Sequence, residues 1–336
     1  MNRISGGQLA ALILVSDAFT LICISGGVSL ITTASFLVGI LMQFVMTLPI
    51  IKYYNSGGTL KYAPKSFLWF YLGYILLWGG LLFVMIWNTA DELSIPSHNF
   101  SIIPEKLLLS GLIALVCLYA SSPGVRPLSR AAVVSAALGA LCIVIVIIGA
   151  IPRFSIDNLN NTYNSQGFFH DFAKGFVLSG GLGSFIIYLG YTKTSPMKCT
   201  VGYFIGKAVL YTAVTVTVSA VAGGIMKISD FPVITAAEIS QPFSTQRIDS
   251  LFLIVFAILA VFAISAQTEA AAWILGVLFP DFTRFRSTIT LILMIGAAFL
   301  ISGIEIYNIF YSIAVVTSLF IVPLIMYRVR KREGAK

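Results

Sequence analysis

FVLSGGLGSFIIYLGYTKTSP, residues Phe176–Pro196, is apolar enough to sit in a bilayer, yet it carries SGGLG at its centre. The three glycines cost helix stability, about 1 kcal/mol each against alanine. A helix weakened in mid-membrane leaves backbone N–H and C=O groups without partners, and lipid supplies none, so the weak point must face protein, water or a ligand. Small residues also let helices pack closely with no ligand at all. The choice between a packing seam and a binding site depends on the rest of the chain.

The 336 residues are 58% hydrophobic and 10% charged, where a soluble domain is about 25% charged. Mean hydropathy is +0.95. Long apolar runs recur along the whole length, which marks a polytopic, all-α integral membrane protein. Met1–Gly7 is short and mildly basic, and the apolar run after it resembles the later spans, so it reads as a first span and not as a cleaved signal. The net charge of +8 is explained by basic cytoplasmic loops, and no nucleic-acid partner is expected. The four cysteines lack metal spacing, with Cys23, Cys117 and Cys142 in apolar runs and Cys199 in a short basic loop. His98 and His170 fall in loops, distant from any thiol pattern. No disulfide framework, metal site or cofactor is expected.

A helix needs about 20 apolar residues to cross the hydrocarbon core. That length picks out ten spans, at about 7–24, 28–51, 66–90, 107–120, 131–151, 174–191, 200–225, 250–279, 287–302 and 305–327. With both termini cytoplasmic, fifteen lysines and arginines fall inside: Arg3; Lys52, Lys61, Lys65; Arg126, Arg130; Lys193, Lys198; Arg284, Arg286; and five from Arg328 onward. Five fall outside: Lys106, Arg153, Lys174, Lys227 and Arg247. This bias sets the orientation.

The chain reads as one domain, 1–336. Ten spans divide into two halves of five, 1–151 and 174–327, followed by a basic tail at 328–336. An odd-numbered half inserts the second half upside down, the arithmetic of an inverted repeat. In that scheme the first and sixth spans correspond, and both are interrupted. The first carries Ser16 and Asp17 in LVSDAFTLICISGG, and the sixth carries Ser179, Gly180, Gly181, Gly183 and Ser184. Paired interruptions of this kind point to a midplane binding site, where half-helix ends offer donors and carbonyls to a solute. With both interruptions in view, the binding site is preferred to the packing seam.

Further along come IIYLGYTKTSPMKCTVGYFIGKAVLYTAVTVTVSAVAGG and DFPVITAAEISQPFSTQRIDSLFLIVFAILAVFAISAQTEAAAWILG. A Tyr-Thr-Lys-x-x-Pro end to one span, then a Phe-Pro, an acidic residue on a short amphipathic stretch and Arg-Ile-Asp-Ser-Leu-Phe opening a long span, resemble the B subunit of endospore germinant receptors. That GerAB-type family lies within the amino acid–polyamine–organocation superfamily. RISGGQLAALILVSDAF resembles its opening and GIEIYNIFYSIAVVTSLFIVPLI its last span. The resemblance covers most of the chain, best from Gly175 onward. It implies a LeuT-like fold with a 5+5 inverted repeat and broken helices 1 and 6. It also implies a small nutrient such as an amino acid, and A and C subunits as partners, in the spore inner membrane or the cell membrane. By position, the ligand would meet Ser16, Asp17, Ala18, Phe19 and Thr20, and then Ser179, Gly180, Gly181, Gly183 and Ser184. Asp17 and Glu269 depart from the family, which carries uncharged residues there.

Charges inside a membrane are costly and are functional candidates by default. Asp17 lies beside the expected break, and Glu269 lies in SAQTEAAAW of the eighth span. The resemblance makes those two spans neighbours, so the two acids are expected to border one polar cavity that binds a proton, a cation or the ligand's ammonium. The alternative is a structural role for each, protonated or bonded to Ser16, Gln267 or Thr268. Lys207 either fills a cation site with its own ammonium or, the preferred reading, snorkels to the cytoplasmic interface. No HExxH, no Ser/His pair in adjacent spans and no P-loop is present, which argues against an enzyme and leaves no catalytic residues to name. Two readings remain, a germinant-sensing receptor subunit and a proton-coupled amino acid permease.

Overall fold

Ser5 starts the first helix. Its Oγ accepts from the Gln8 N–H while Gln8 Oε1 accepts from the Ser5 N–H, a capping box that satisfies two otherwise orphan donors. In the computed structural model this launches α1, Gly6–Ile22. Ser29 and Thr32 cap α2, Leu30–Met46, in the same way. Thr47 and Pro49 redirect the chain into α3, Leu48–Asn55. The structure describes residues 4–93, 103–159, 167–178, 181–222, 231–240, 249–281, 285–304 and 309–333.

The remaining helices are α4 (Lys65–Leu93), α5 (Ile103–Ser121), α6 (Val125–Ala150), α7 (Ile156–Leu159), α8 (Phe168–Val177), α9 (Leu182–Leu189), α10 (Pro196–Ala222), α11 (Pro232–Ile239), α12 (Asp249–Leu278), α13 (Arg286–Ile301), α14 (Ile309–Val316) and α15 (Val322–Glu333). Between α14 and α15, Thr317–Ile321 form a π-turn. Such turns release a carbonyl from the ladder, and Tyr71 Oη donates to Ser318 O at 3.1 Å. Among the described residues the one extended pairing is an isolated parallel bridge, Ile4 to Thr192.

Among the described residues, seven helices are long and apolar enough to cross a membrane, and two shorter apolar ones, Gly6–Ile22 and Arg286–Ile301, join them. At about 1.5 Å per residue, α1 spans about 26 Å, just short of the hydrocarbon core. The expected sixth span is split into α8 and α9. Reaching ten requires counting this pair as a single crossing. Two sequence assignments are corrected. His170 lies on α8, half-exposed and 3.8 Å from Asp171, and Cys199 is buried within α10.

The core is built around α1, α9, α12 and α4. All eight residues of α9 are buried, as expected of a helix that is apolar all round. By contrast α5 and α6 expose Leu108, Leu112, Leu115, Val134 and Leu141, a surface suited to lipid. At one end of the bundle Ile4 pairs with Tyr191 and Lys193, Tyr54 packs on Gly190, and Arg330 donates to Ser56 O and Gly57 O. At the other end Thr32 Oγ1 donates to Asp171 Oδ2 at 2.7 Å, with buried Lys174 beside Gly26.

Close approach fixes one glycine. A Cβ on Gly183 would overlap the Tyr74 ring, whereas one on Gly202 would meet no atom within 4 Å. Gly183→Val should therefore destabilise the protein by about 1–3 kcal/mol through overpacking. Gly202→Ala should hold or raise stability by up to about 1 kcal/mol through helix propensity. Thermal unfolding of both variants in detergent checks the contrast.

Candidate functional site

α8 stops at Val177 and α9 starts at Leu182, so the SGGLG stretch does interrupt the span. Ser179 and Gly180 lie outside the described residues. Around them one freed carbonyl is taken by side chains from other helices, and another is answered from within α9. Leu178 O accepts from Thr20 Oγ1 at 2.8 Å and from Tyr211 Oη at 3.4 Å. Gly181 O accepts from Ser184 Oγ at 2.8 Å as well as from the Phe185 N–H.

Ser184 Oγ in turn accepts from Gln267 Nε2 at 3.2 Å. Because the hydroxyl proton of Ser184 is already given to Gly181 O, the Gln267 atom facing it must be the amide nitrogen. That leaves Gln267 Oε1 turned away, buried and with no partner among the described residues. Ser16 Oγ is buried in the same condition, and a Cβ built on Gly181 would sit 3.5 Å from it. Next to this pair, Tyr74 packs against Gly183 and stacks on Trp78 at 5.7 Å, and Trp78 meets Tyr311 edge-on at 6.4 Å. Trp78 Nε1 and Tyr311 Oη are also buried without partners among the described residues. Tyr74 Oη is a fifth such atom; buried polar atoms are almost always bonded, so this cluster beside the interruption is unusual.

The first span departs from expectation. α1 is unbroken through Ser16 and Asp17 and leaves helical geometry only after Ile22, so its interruption is not at Ser16–Leu21. Asp17 and Thr20 bond laterally to other helices, and the α1 backbone ladder stays intact. Asp17 Oδ2 accepts from Tyr203 Oη at 2.6 Å and Oδ1 from Lys207 Nζ at 3.2 Å, and both charged residues are fully buried. Lys207 therefore does not snorkel; the carboxylate holds its ammonium in the interior. Of the other candidates on α1, Thr20 braces Leu178 and Phe19 packs on Phe256 at 5.4 Å. Ala18 turns away from the break, toward an apolar cavity of about 50 Å³ bordered by Cys142, Leu210, Val214, Ala236 and Leu259.

Asp17 and Glu269 hold different partners. The Glu269 carboxylate accepts from the Val125 N–H and lies 3.7 Å from a Cβ built on Gly124, at the start of α6. Gly124 has φ +88° and no side chain to cap the helix, so Glu269 supplies from α12 the anion that a helix N-terminus favours. Thr268 Oγ1 bonds within its own helix to Ile264 O. Sequence reading missed Gln267, Tyr203, Tyr211 and Gln43 as site residues. The signal for Gln267 and Gln43 was an uncharged amide inside an apolar run, which is weaker than a charge; tyrosines in a membrane helix carry no signal of their own.

No family model matches the chain, and no curated protein is similar to it in sequence. Solved structures are similar in fold. Mhp1, a nucleobase-cation-symport-1 family transporter, in a closed conformation with bromovinylhydantoin bound, superposes with a TM-score of 0.64 at 14% identity, over 97% of this chain and 78% of that one. The inward-facing conformation of Mhp1 gives 0.52 at 12% identity, over 95% and 76%. MhsT in complex with L-phenylalanine gives 0.55 at 15%, over 97% and 89%. The chain therefore has the LeuT-type transporter fold and is an integral membrane protein, and it superposes better on the closed Mhp1 than on the inward-facing one.

Removing the Glu269 cap should loosen the start of α6. In Glu269→Ala the amides of residues 125–130 should exchange hydrogen about fivefold faster, as expected for roughly 1 kcal/mol of lost capping. Glu269→Gln, which keeps an acceptor, should show less. Hydrogen–deuterium exchange with mass spectrometry reads both.

Proposed function

We propose that this chain binds a small solute bearing N–H groups, such as an amino acid, at the α8–α9 break, between α1, α9 and α12. The observation that carries the reading is Gln267 Oε1, a buried acceptor beside the interruption with no partner among the described residues. Leaving such a group unsatisfied costs about 1–3 kcal/mol, which a ligand ammonium or amide N–H would recover. Ser16 Oγ, Trp78 Nε1 and Tyr311 Oη would complete a polar lining with aromatic walls. The bound molecules named for the similar structures, bromovinylhydantoin on Mhp1 and L-phenylalanine on MhsT, are small solutes of the same N–H-bearing kind and support this choice.

In the cell we read the chain as the membrane subunit of an endospore germinant receptor, working with A and C subunits in the spore inner membrane. In this reading it has ten spans in two inverted halves of five, with both termini cytoplasmic. Binding would bias the fold between two states, and the partner subunits would sense the bias. The second reading is a proton-coupled amino acid permease, favoured by the transporter descriptions of the similar structures. Transport requires both gates to open, and sensing does not. Proton-driven accumulation of a radiolabelled amino acid in proteoliposomes holding this chain alone would establish the permease. Binding without accumulation, together with co-purification of A and C subunits, would establish the receptor.

Thermal shift against a panel of L-amino acids tests the site itself. At least one should raise the unfolding temperature, and Gln267→Leu should abolish that shift while leaving the unliganded protein equally or more stable. A shift that survives Gln267→Leu moves the ligand elsewhere.

A further inference from the structure

A second polar centre lies one residue along α1 from Ser16. The Lys207 ammonium has Asp17 Oδ1 at 3.2 Å, Tyr203 Oη at 3.4 Å and Gln43 Oε1 at 3.5 Å. The ring centroids of Tyr203 and Tyr211 stand 5.8 and 5.4 Å from it. Asp17, Gln43 and Lys207 are each 0% exposed. Three helices thus converge three oxygens, one of them anionic, and two π-faces on one point. Hard monovalent cations are held by such oxygens and by such faces, and here the cation is covalently part of the chain.

The centre is joined to the break on two sides. Tyr211 Oη reaches Leu178 O, where it meets Thr20 Oγ1, and Phe185 of α9 stacks on Tyr203 at 5.0 Å with 27° between the rings. A change in charge at Asp17 would therefore act on α1 and α9 together, through packed groups.

We propose that Lys207 is a resident cation: its ammonium fills an alkali-cation site formed by Asp17, Tyr203 and Gln43, so the fold holds this centre closed without sodium. Removing the amine exposes the site, and an inorganic cation then takes its place. The inference concerns the Asp17 centre and does not require the ligand at Gln267. Its test reads stability in the absence of any amino acid, so it can fail while the solute-binding reading stands.

The full chain is purified in detergent, and thermal unfolding is followed in sodium, potassium and choline chloride at equal ionic strength. Wild type should unfold at one temperature in all three. Lys207→Ala should unfold lower in choline and regain on the order of 5 °C in sodium, saturably, as ligand linkage requires. Asp17→Asn combined with Lys207→Ala should lose that sodium response. Three results overturn the proposal: a wild type stabilised by sodium over choline, a folded Lys207→Ala indifferent to every alkali ion, and a Lys207→Ala that cannot be recovered folded even in sodium.

Discussion

Peptide groups released in mid-membrane must be answered by other parts of the protein, and the arrangement of this chain follows from that demand. Lipid offers no hydrogen bonds, so the interruption between Val177 and Leu182 is tolerable only where α1, α10 and α12 surround it. Thr20 and Tyr211 close on Leu178 O, and Ser184 folds back on Gly181 O. The Thr20 and Tyr211 hydroxyls come from α1 and α10 and tie the break to two walls of the bundle, whereas Ser184 answers locally from α9.

The same surroundings explain why buried charge is tolerated beside the break. An isolated ion in the interior is prohibitive, and a pair is tolerable only with near-complete hydrogen bonding. Asp17 and Lys207 meet that condition with Tyr203 and Gln43. Satisfied laterally, Asp17 leaves the α1 backbone helical as far as Ile22. Two other acids are handled by different means at other places: Asp171 by Thr32 with Lys174 nearby, and Glu269 by the N–H of Val125 at the start of α6. Each acid joins two helices that the sequence keeps apart.

The contrast between a completed charge centre and an incomplete polar one separates two roles. Around Lys207 the bonding is internal to the protein. Around Gln267 and Ser16 it is not, since both present buried atoms without partners among the described residues.

Apolar length and the glycines at 180, 181 and 183 were enough to mark an all-helical membrane protein and the weak point between α8 and α9, because both depend on local chain physics: transfer from water and helix propensity. The charges of Asp17, Lys207 and Glu269 stood out for the same reason, as isolated ions in apolar runs. Which partners they chose could not be read locally. Asp17 and Lys207 are 190 residues apart, and their pairing depends on how α1 packs against α10. The same packing turned a suspected break at Ser16–Asp17 into continuous helix and kept Lys207 from the interface. It also left Gln267, an unremarkable amide in sequence, with a buried acceptor that has no partner among the described residues. Composition thus fixes where polar groups are expensive, and only the tertiary arrangement decides which of those groups find partners within the protein.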